Sequence, residues 1–313
     1  MRTTSKYIGL ALVPLIVSVI IGACGQSPER PSVTAMTFNI RYANPDDGDH
    51  VWENRKDWVA EIIRDSEADV VGLQEALRHQ IDTLSVRLTD YEWVGRGRSD
   101  ELDGGEFSPI FFKTDRLRLV ETSTFWLSSW PDSVGSVGWD AALPRVVTWA
   151  SFEWKDTGSS FFQFNTHFDH RGERAREESA RLIRKKIMEI AGGSPFIVTG
   201  DFNTSDSQSP YSILVANTPF APILIDSRSA GVQSDLTTYR GFEVGAIKSG
   251  AIESGAIESR TIVSRTIDYI FHSESFRATM HKVLDESRDG AYPSDHLPVL
   301  VVLDRPDTQE MSG

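Results

Sequence analysis

Apolar positions along this chain fall into short runs with two alternating rhythms. Val33 to Ile40, "VTAMTFNI", has period two and many β-formers, which predicts a first strand. Over Asn54 to Glu67 the residues Trp58, Ile62 and Ile63 recur at helical spacing, predicting an amphipathic helix. "DVVGL", Asp69 to Leu73, reads as a short buried strand ending at Gln74 and Glu75. Ala76 to Leu88 places Leu77, Ile81, Leu84 and Leu88 on one helical face. From Tyr91 to Phe168 the texture becomes strand and turn: "FSPIFFK", "LVETSTFWL", "RVVTWASFEW" and "SFFQFNTHF" are β-rich, with a Gly-, Pro- and Trp-bearing loop at 128–143. Glu173 to Ala191 is the clearest helix. Leu182, Ile183, Ile187 and Ile190 mark its inner face, Glu177 and Arg181 pair on the other, and Gly192-Gly193 stops it. Then come a strand at Phe196 to Thr199, a short helix at Ser209 to Ala216, a looser region, and two strand-like runs, "TIDYIFHS" and "HLPVLVVL". Strands and helices mix with no Gly/Pro-rich linker between them, so the pattern predicts one α/β domain over 33–304 and a tail at 305–313.

Two stretches stand outside that pattern. Arg2 and Lys6 precede the apolar run Tyr7 to Ile21, which ends in "GAC". A basic start, an apolar middle and small residues at the cut describe a secretory signal over 1–23; the run is short for a spanning helix and contains Pro14. The single cysteine, Cys24, sits at that junction, and "IGAC" resembles the bacterial lipobox, in which the cysteine is lipidated. Residues 24–32 are small, polar and Pro-containing, as a tether is. The expectation is a monomer held at the cell envelope by acyl chains, on the outer membrane if the cell is Gram-negative. The second stretch, 245–267, is a five-residue near-repeat, "GAIKS GAIES GAIES RTIVS RTI", read as an inserted loop or hairpin.

The formal charge of −13 becomes two units more negative when the leader takes Arg2 and Lys6 with it. Such a surface argues against tight, sequence-independent binding to nucleic acid, which needs clustered Lys and Arg. It leaves a phosphate substrate open, because a local metal ion outweighs a distant negative surface.

Polar residues recur where the predicted strands end: Asn39, Glu75, His167, Asp169, Asp201 and Asn203, then Asp268 early in its strand, and Asp295 and His296 before the last one. Each has an ordinary explanation as a turn former or helix-dipole partner. Their recurrence at one kind of place is the signal, because in α/β folds the functional crevice lies at strand ends.

"TFNIR" at 37–41, "GLQE" at 72–75, "NTHFDH" at 165–170, "GDFN" at 200–203, "IDYIF" at 267–271 and "PSDHLP" at 293–298 together resemble the ordered motifs of the endonuclease/exonuclease/phosphatase (DNase I-like) family. The resemblance spans about 34 to 302. It implies a four-layer α/β/β/α sandwich with two central mixed β-sheets. It implies a Mg²⁺-dependent hydrolase of phosphate esters, with Mn²⁺ as the alternative; hard oxygen ligands favour both. Glu75 would be the metal carboxylate, with Asn39 beside it and Asp295 supporting this metal or a second one. Asp201 would orient or deprotonate water, and Asn203 would hold that water or a phosphate oxygen. His296 would serve the scissile phosphate with Asp268 fixing its tautomer, and His167 would be a second active-site histidine. Whether Asp201 or His296 is the base stays open. Arg145 is a candidate phosphate clamp and His170 a neighbour of the site. His50, His79, His272 and His281 receive no role, and "DGGE", Asp103 to Glu106, either shapes the pocket or simply turns the chain. The candidate substrates are sugar, inositol or lipid phosphates; DNA or RNA is the alternative, and a binding lipoprotein without catalysis a third.

Overall fold

The computed structural model describes Met1 and residues 32–100, 102–219, 221–230, 237–244 and 265–305. The signal segment, Cys24, nearly all of the tether, most of the repeat at 245–267 and all but Arg305 of the tail lie outside the described residues. Those beyond Pro31 belong to one compact unit.

Two six-stranded mixed sheets lie face to face. The first has the order β11-β12-β1-β2-β4-β3 and the second β5-β6-β7-β8-β10-β9. In the first sheet β1 (Ser32–Asn39) pairs parallel with β2 (Val70–Gln74); β3 (Tyr91–Val94) and β4 (Ile110–Lys113) follow on one side, β12 (Val299–Asp304) and β11 (Arg277–Val283) on the other. In the second, β7 (Ser160–His167) pairs parallel with β8 (Phe196–Asp201). This pair is flanked by β5 (Leu117–Trp126) and β6 (Val146–Trp154) and by β10 (Asp268–His272) and β9 (Ile225–Asp226). Each central parallel pair needs a crossover. Helix α1 (Trp52–Asp65) supplies one and α3 (Glu173–Ala191) the other; α2 (Arg78–Arg87) and α4 (Ser209–Val215) complete the outer layers. Among the described residues no helix is long and apolar enough to cross a membrane.

Strand alternation explains the layers. On β1, Met36 and Phe38 face α1 and α2, while Val33 and Ala35 enter the core between the sheets. On β8, Phe196 and Val198 pack toward α3 and Ile197 points between the sheets. Phe152, Trp154 and Phe161 fill the lower part of that inner core, with Trp154 stacked on Phe161 at 4.4 Å between centroids.

Farther along the same inner faces the side chains become polar, and there the two sheets are stitched together. The Gln74 amide donates to Thr37 Oγ1 (3.0 Å) and Asn165 Oδ1 (2.7 Å); Asn165 Nδ2 donates to the carbonyls of Leu73 and Pro109; Thr199 Oγ1 donates to Asn165 Oδ1 (3.0 Å). Gly72 lies at the closest approach, where a Cβ would stand 2.2 Å from Thr199 Oγ1. One residue pair beyond this seam the same faces end in Asn39, His167 and Asp201. β7 and β8 therefore run from apolar, through neutral polar, to ionisable, and β1 from apolar to the carboxamide of Asn39, toward one end of the sandwich.

The structure shifts several expected elements. The buried stripe of α1 is Trp52, Arg55, Val59, Ala60 and Ile63, so Trp58 and Ile62 sit at its margin. In α3 Leu182 and Ile190 are likewise marginal to Ala180, Ile183 and Ile187. Strand β10 begins at Asp268, two residues later than "TIDYIFHS" suggested.

Candidate active site

Asn39, at the end of β1, is fully buried and bridges the two sheets. Its Nδ2 donates to Glu75 Oε1 (3.1 Å) and to Asp201 Oδ2 (3.0 Å), and stands 3.5 Å from His296 Nε2. Its carbonyl oxygen accepts the Arg41 N–H. The carboxamide thus turns its nitrogen to the acids, whereas the sequence resemblance assigned it to a metal.

Glu75 lies just past the end of β2. An extended residue there would point away from the inner face. A φ of +60° swings it back, and the Tyr42 N–H then donates to its Oε2 at 3.1 Å. Asn203 also has a left-handed backbone, φ +47°, so the extended chain ends at Asp201 and does not carry on to place Asn203. Asn and a few other polar residues tolerate this region. Arg41, at φ +57°, is a third non-glycine residue of this kind lining the cleft. Left-handed residues of bulky type gather at functional sites because the surroundings must enforce them.

Asp201, Asp268 and His167 of the second sheet join His296, from the segment before β12, in a chain of ionisable groups. Asp268 Oδ2 receives His296 Nδ1 at 2.9 Å, and His296 Nε2 lies 3.7 Å from Asp201 Oδ2. His167 Nε2 stands 3.4 Å from the same oxygen and accepts from Asn203 Nδ2 at 3.0 Å; that amide also donates to the Phe168 carbonyl. Both hydrogens of the Asn203 amide are used, which leaves its carbonyl oxygen as the free end.

Burial disfavours a charge on His296, but Asp268 and Asp201 more than reverse this and its pKa is pushed up to about 10. Burial and the Asp268 charge raise Asp201 to about 7, against the pull of His296. His167 is driven well below its ordinary value by burial and then by Arg145 and Arg98, so it is neutral. Asp295 is raised by burial and by the charge of Glu75; His296, Arg41 and Arg55 oppose this.

Asp201, Asp268 and His296 each place a donor atom within 4.8 Å of the others, close enough to enclose a metal ion. With a proton on each ring nitrogen His296 has no lone pair left, however, so this trio is better suited to holding a proton. Glu75 and Asp295 both line the cleft, where their mutual repulsion favours a cation; Arg41, 4.0 Å from Asp295, offsets part of it.

The expected residues converge. Glu75, Asp201, His167, Asn203, Asp295, His296, Arg145 and His170 all line one cleft of about 520 Å³, and Asp268 and Asn39 lie directly behind it. Arg145 is buried; it points Nη2 at His170 Nδ1 (3.0 Å), with Nε 3.5 Å from Asp169. Asp169 accepts the N–H groups of Arg171, Gly172 and Ala142 and so ties the 128–143 loop to the start of α3.

Sequence reading missed several contributors. Arg55, on α1, reaches the carbonyls of Ile40 and Pro293 and so clamps the segments carrying Asn39 and His296 together. Tyr239, in a region read as loose, lines the cleft with its ring edge-on to His296 at 5.0 Å. The Thr238 hydroxyl accepts the Ile267 and Asp268 N–H groups, and the Thr238 carbonyl accepts the Leu297 N–H. Nothing in their local sequence distinguishes these residues; only tertiary contact does. The four other histidines stand apart from the cleft lining. His281 bonds Ser227, His272 bonds the Ser273 carbonyl, and His50 stacks on Phe242.

A four-layer sandwich with acids, amides and histidines gathered from both sheets defines a phosphoesterase-type site, and the chain belongs to the Endonuclease/Exonuclease/phosphatase family, whose model matches residues 36–296. Among solved structures, a family member from Bacteroides vulgatus is 36% identical, with a TM-score of 0.77, over 88% of this chain and 100% of that one. A mannosyl-6-phosphatase from Bacteroides thetaiotaomicron is also 36% identical, with a TM-score of 0.76, over 87% and 99%. An uncharacterized protein of Acanthamoeba polyphaga mimivirus is 27% identical over half of this chain; the match spans 60% of that relative's length.

Proposed function

We propose that this protein is a divalent-metal-dependent phosphomonoesterase acting on phosphorylated sugars or polyols outside the cytoplasm. The observation that carries the reading is the buried Asp268–His296–Asp201 chain, set in a cleft that Glu75 and Arg145 also line. The relative named a mannosyl-6-phosphatase supports the sugar phosphate over the other phosphate esters, and the acidic surface supports it over nucleic acid.

Glu75, with Asp295 nearby, is the donor set for Mg²⁺ or Mn²⁺: two hard carboxylates whose repulsion an ion would relieve. Bound there, the ion would neutralise charge on the phosphoryl oxygens. The chain's own groups divide the remaining work. Cationic His296 donates from Nε2 to a phosphoryl oxygen and takes up developing charge. Asp201, with a raised pKa near working pH, is the better base for the attacking water. The free carbonyl oxygen of Asn203 accepts from that water and orients it. Asn39 keeps Glu75 and Asp201 in register, and Arg145 supplies positive field in the cleft; burial and that same guanidinium lower the pKa of His170, which accepts from Arg145 as a neutral ring.

Phosphate release from mannose 6-phosphate, p-nitrophenyl phosphate, bis-p-nitrophenyl phosphate and plasmid DNA, with Mg²⁺, Mn²⁺ or EDTA, tests the proposal. Metal-dependent release from the monoesters supports it. Cleavage of DNA or the diester alone would replace it with the nuclease reading, and no turnover of any substrate with the binding-protein reading. Lipidation at Cys24 belongs to the same proposal, supported by "IGAC" after an apolar leader. Incorporation of a labelled fatty acid by the wild type, and its loss in Cys24→Ser, is the check.

A further inference from the structure

Glu106 is a cleft residue to which the reaction above gives no task. It ends a tightly folded loop. Gly97 N–H donates to the Leu102 carbonyl, Ser99 N–H to Gly104 and Arg98 N–H to Glu106, while Asp100 Oδ1 accepts the N–H groups of Leu102 and Gly104. The Trp126 indole anchors the loop to β5 through the Arg98 carbonyl at 2.7 Å. The loop presents a fork: Arg98 Nη1 and Nη2 donate to the two carboxylate oxygens of Glu106 at 2.7 and 2.9 Å.

Arg98 and Glu106 are largely buried, with 10% and 17% of their side chains exposed. Burying an ion pair costs desolvation that the attraction often fails to return, and apolar residues of like volume commonly stabilise as well. Stability is therefore a weak reason for this pair. Its exposed part opens into the cleft, whose lining also includes Arg145, His170 and Leu143, and burial and then the charge of Glu75 raise the pKa of Glu106 against the pull of Arg98 and Arg145. Each Glu106 oxygen, after accepting from Arg98, keeps a lone pair for a hydroxyl donor. Because both oxygens are already engaged by a guanidinium, Glu106 is poorly placed to leave that partner for a metal.

We propose that Glu106, held by Arg98, recognises the alcohol half of the substrate by accepting hydrogen bonds from hydroxyl groups of a monophosphorylated sugar or polyol, and that its charge repels substrates bearing further phosphates. The inference rests on the phosphomonoesterase reading and narrows it. A planar carboxylate with two free lone pairs matches adjacent hydroxyls; the same carboxylate opposes inositol polyphosphates and nucleic acid strands, whose next phosphate would enter this wall.

The test compares kcat/KM of wild type and Glu106→Gln on mannose 6-phosphate, p-nitrophenyl phosphate and an inositol polyphosphate. The expected result is a roughly 10- to 100-fold fall in the ratio of sugar phosphate to aryl phosphate, as losing a charged acceptor costs about tenfold or more. The polyphosphate should rise relative to the aryl phosphate. Equal scaling of all three would assign Glu106 a structural role and overturn the proposal, as would an unchanged ratio. If the single variant unfolds by a thermal melt, the double variant Arg98→Met/Glu106→Gln, which leaves no buried charge unpaired, must give the same change in ratio. A wild type that hydrolyses the aryl phosphate but no sugar phosphate would remove the underlying sugar reading, and this inference with it. A wild type active on the sugar phosphate with an insensitive Glu106 would remove the inference alone.

Discussion

Replacing Asp268 with Asn should displace the whole pH–rate profile toward acid. Asp268 accepts from His296 at 2.9 Å, both side chains being buried, and the substituted amide retains an oxygen acceptor for Nδ1–H. The charge is lost, and the new amide nitrogen takes the place of Oδ1, which is buried without a partner. Two unit charges ~4 Å apart at an effective dielectric constant near 20 interact by about 4 kcal/mol, or about 3 pKa units. Removing the anion destabilises the imidazolium, so the alkaline limb set by His296 falls from about 10 by roughly 3 units. Asp268 also opposes ionisation of Asp201, so its removal lowers the acid limb from about 7. Both limbs move the same way. kcat/KM is measured between pH 5 and 10.5 in a single ionic strength, with Mg²⁺ saturating at each point. The expected variant loses most of its activity at pH 9 and least at pH 6. A lower rate with both limbs in their original places would refute this electrostatic account and leave Asp268 a purely steric support. Stability gives a second reading. The raised folded-state pKa of His296 contributes stability that is complete below about 6.5 and gone above about 10. Thermal midpoints should fall across that window in wild type, less so in Asp268→Asn.

Glu75→Gln should raise the Mg²⁺ concentration giving half-maximal activity more than His167→Ala does; equal titration midpoints would contradict the ligand role of Glu75. Gly72→Ala should destabilise by about 1–3 kcal/mol in urea titrations, because its Cβ would stand 2.2 Å from Thr199 Oγ1 and 2.4 Å from Asn165 Oδ1. Thr199→Ala should restore part of that loss. Trp154→Ala, which empties the inner core beside Phe161 and Phe276, should cost about 3–5 kcal/mol without shifting KM, since the site lies at the other end of the strands.

The sequence made the inner strands legible because β1, β2 and β8 are buried on both faces and carry dense apolar runs. Strand β11 went unread for the opposite reason. It is an edge, "RATMHKV", with Arg277, Thr279 and Lys282 turned outward or half outward, and only His281 and Val283 are buried. Its pattern carries too few apolar positions to stand out from a loop. At the site, residue types at strand ends pointed to the right neighbourhood, and the motif order supplied the four-layer architecture that periodicity alone could not. The directions of Glu75 and Asn203 were not readable, because both depend on left-handed backbone enforced by tertiary packing. Arg55, Tyr239 and Glu106 were missed or left undecided because each joins the site from a segment whose own sequence resembles ordinary helix or turn. Gln74 and Asn165, which sit inside the recognised motifs, stitch the sheets together and do not line the cleft.

Among the described residues, the last strand in sequence is also an interior one. β12 lies between β1 and β11, while the whole second sheet, Leu117 to His272, is threaded between β4 and β11. β1 must therefore wait for β12 before its sheet can close, and His296 lies only a few residues ahead of that closure. Assembly of the candidate site is thus tied to the docking of β12: a product stopped before Val299 would leave β1 with one open edge. That open edge would invite pairing with another chain.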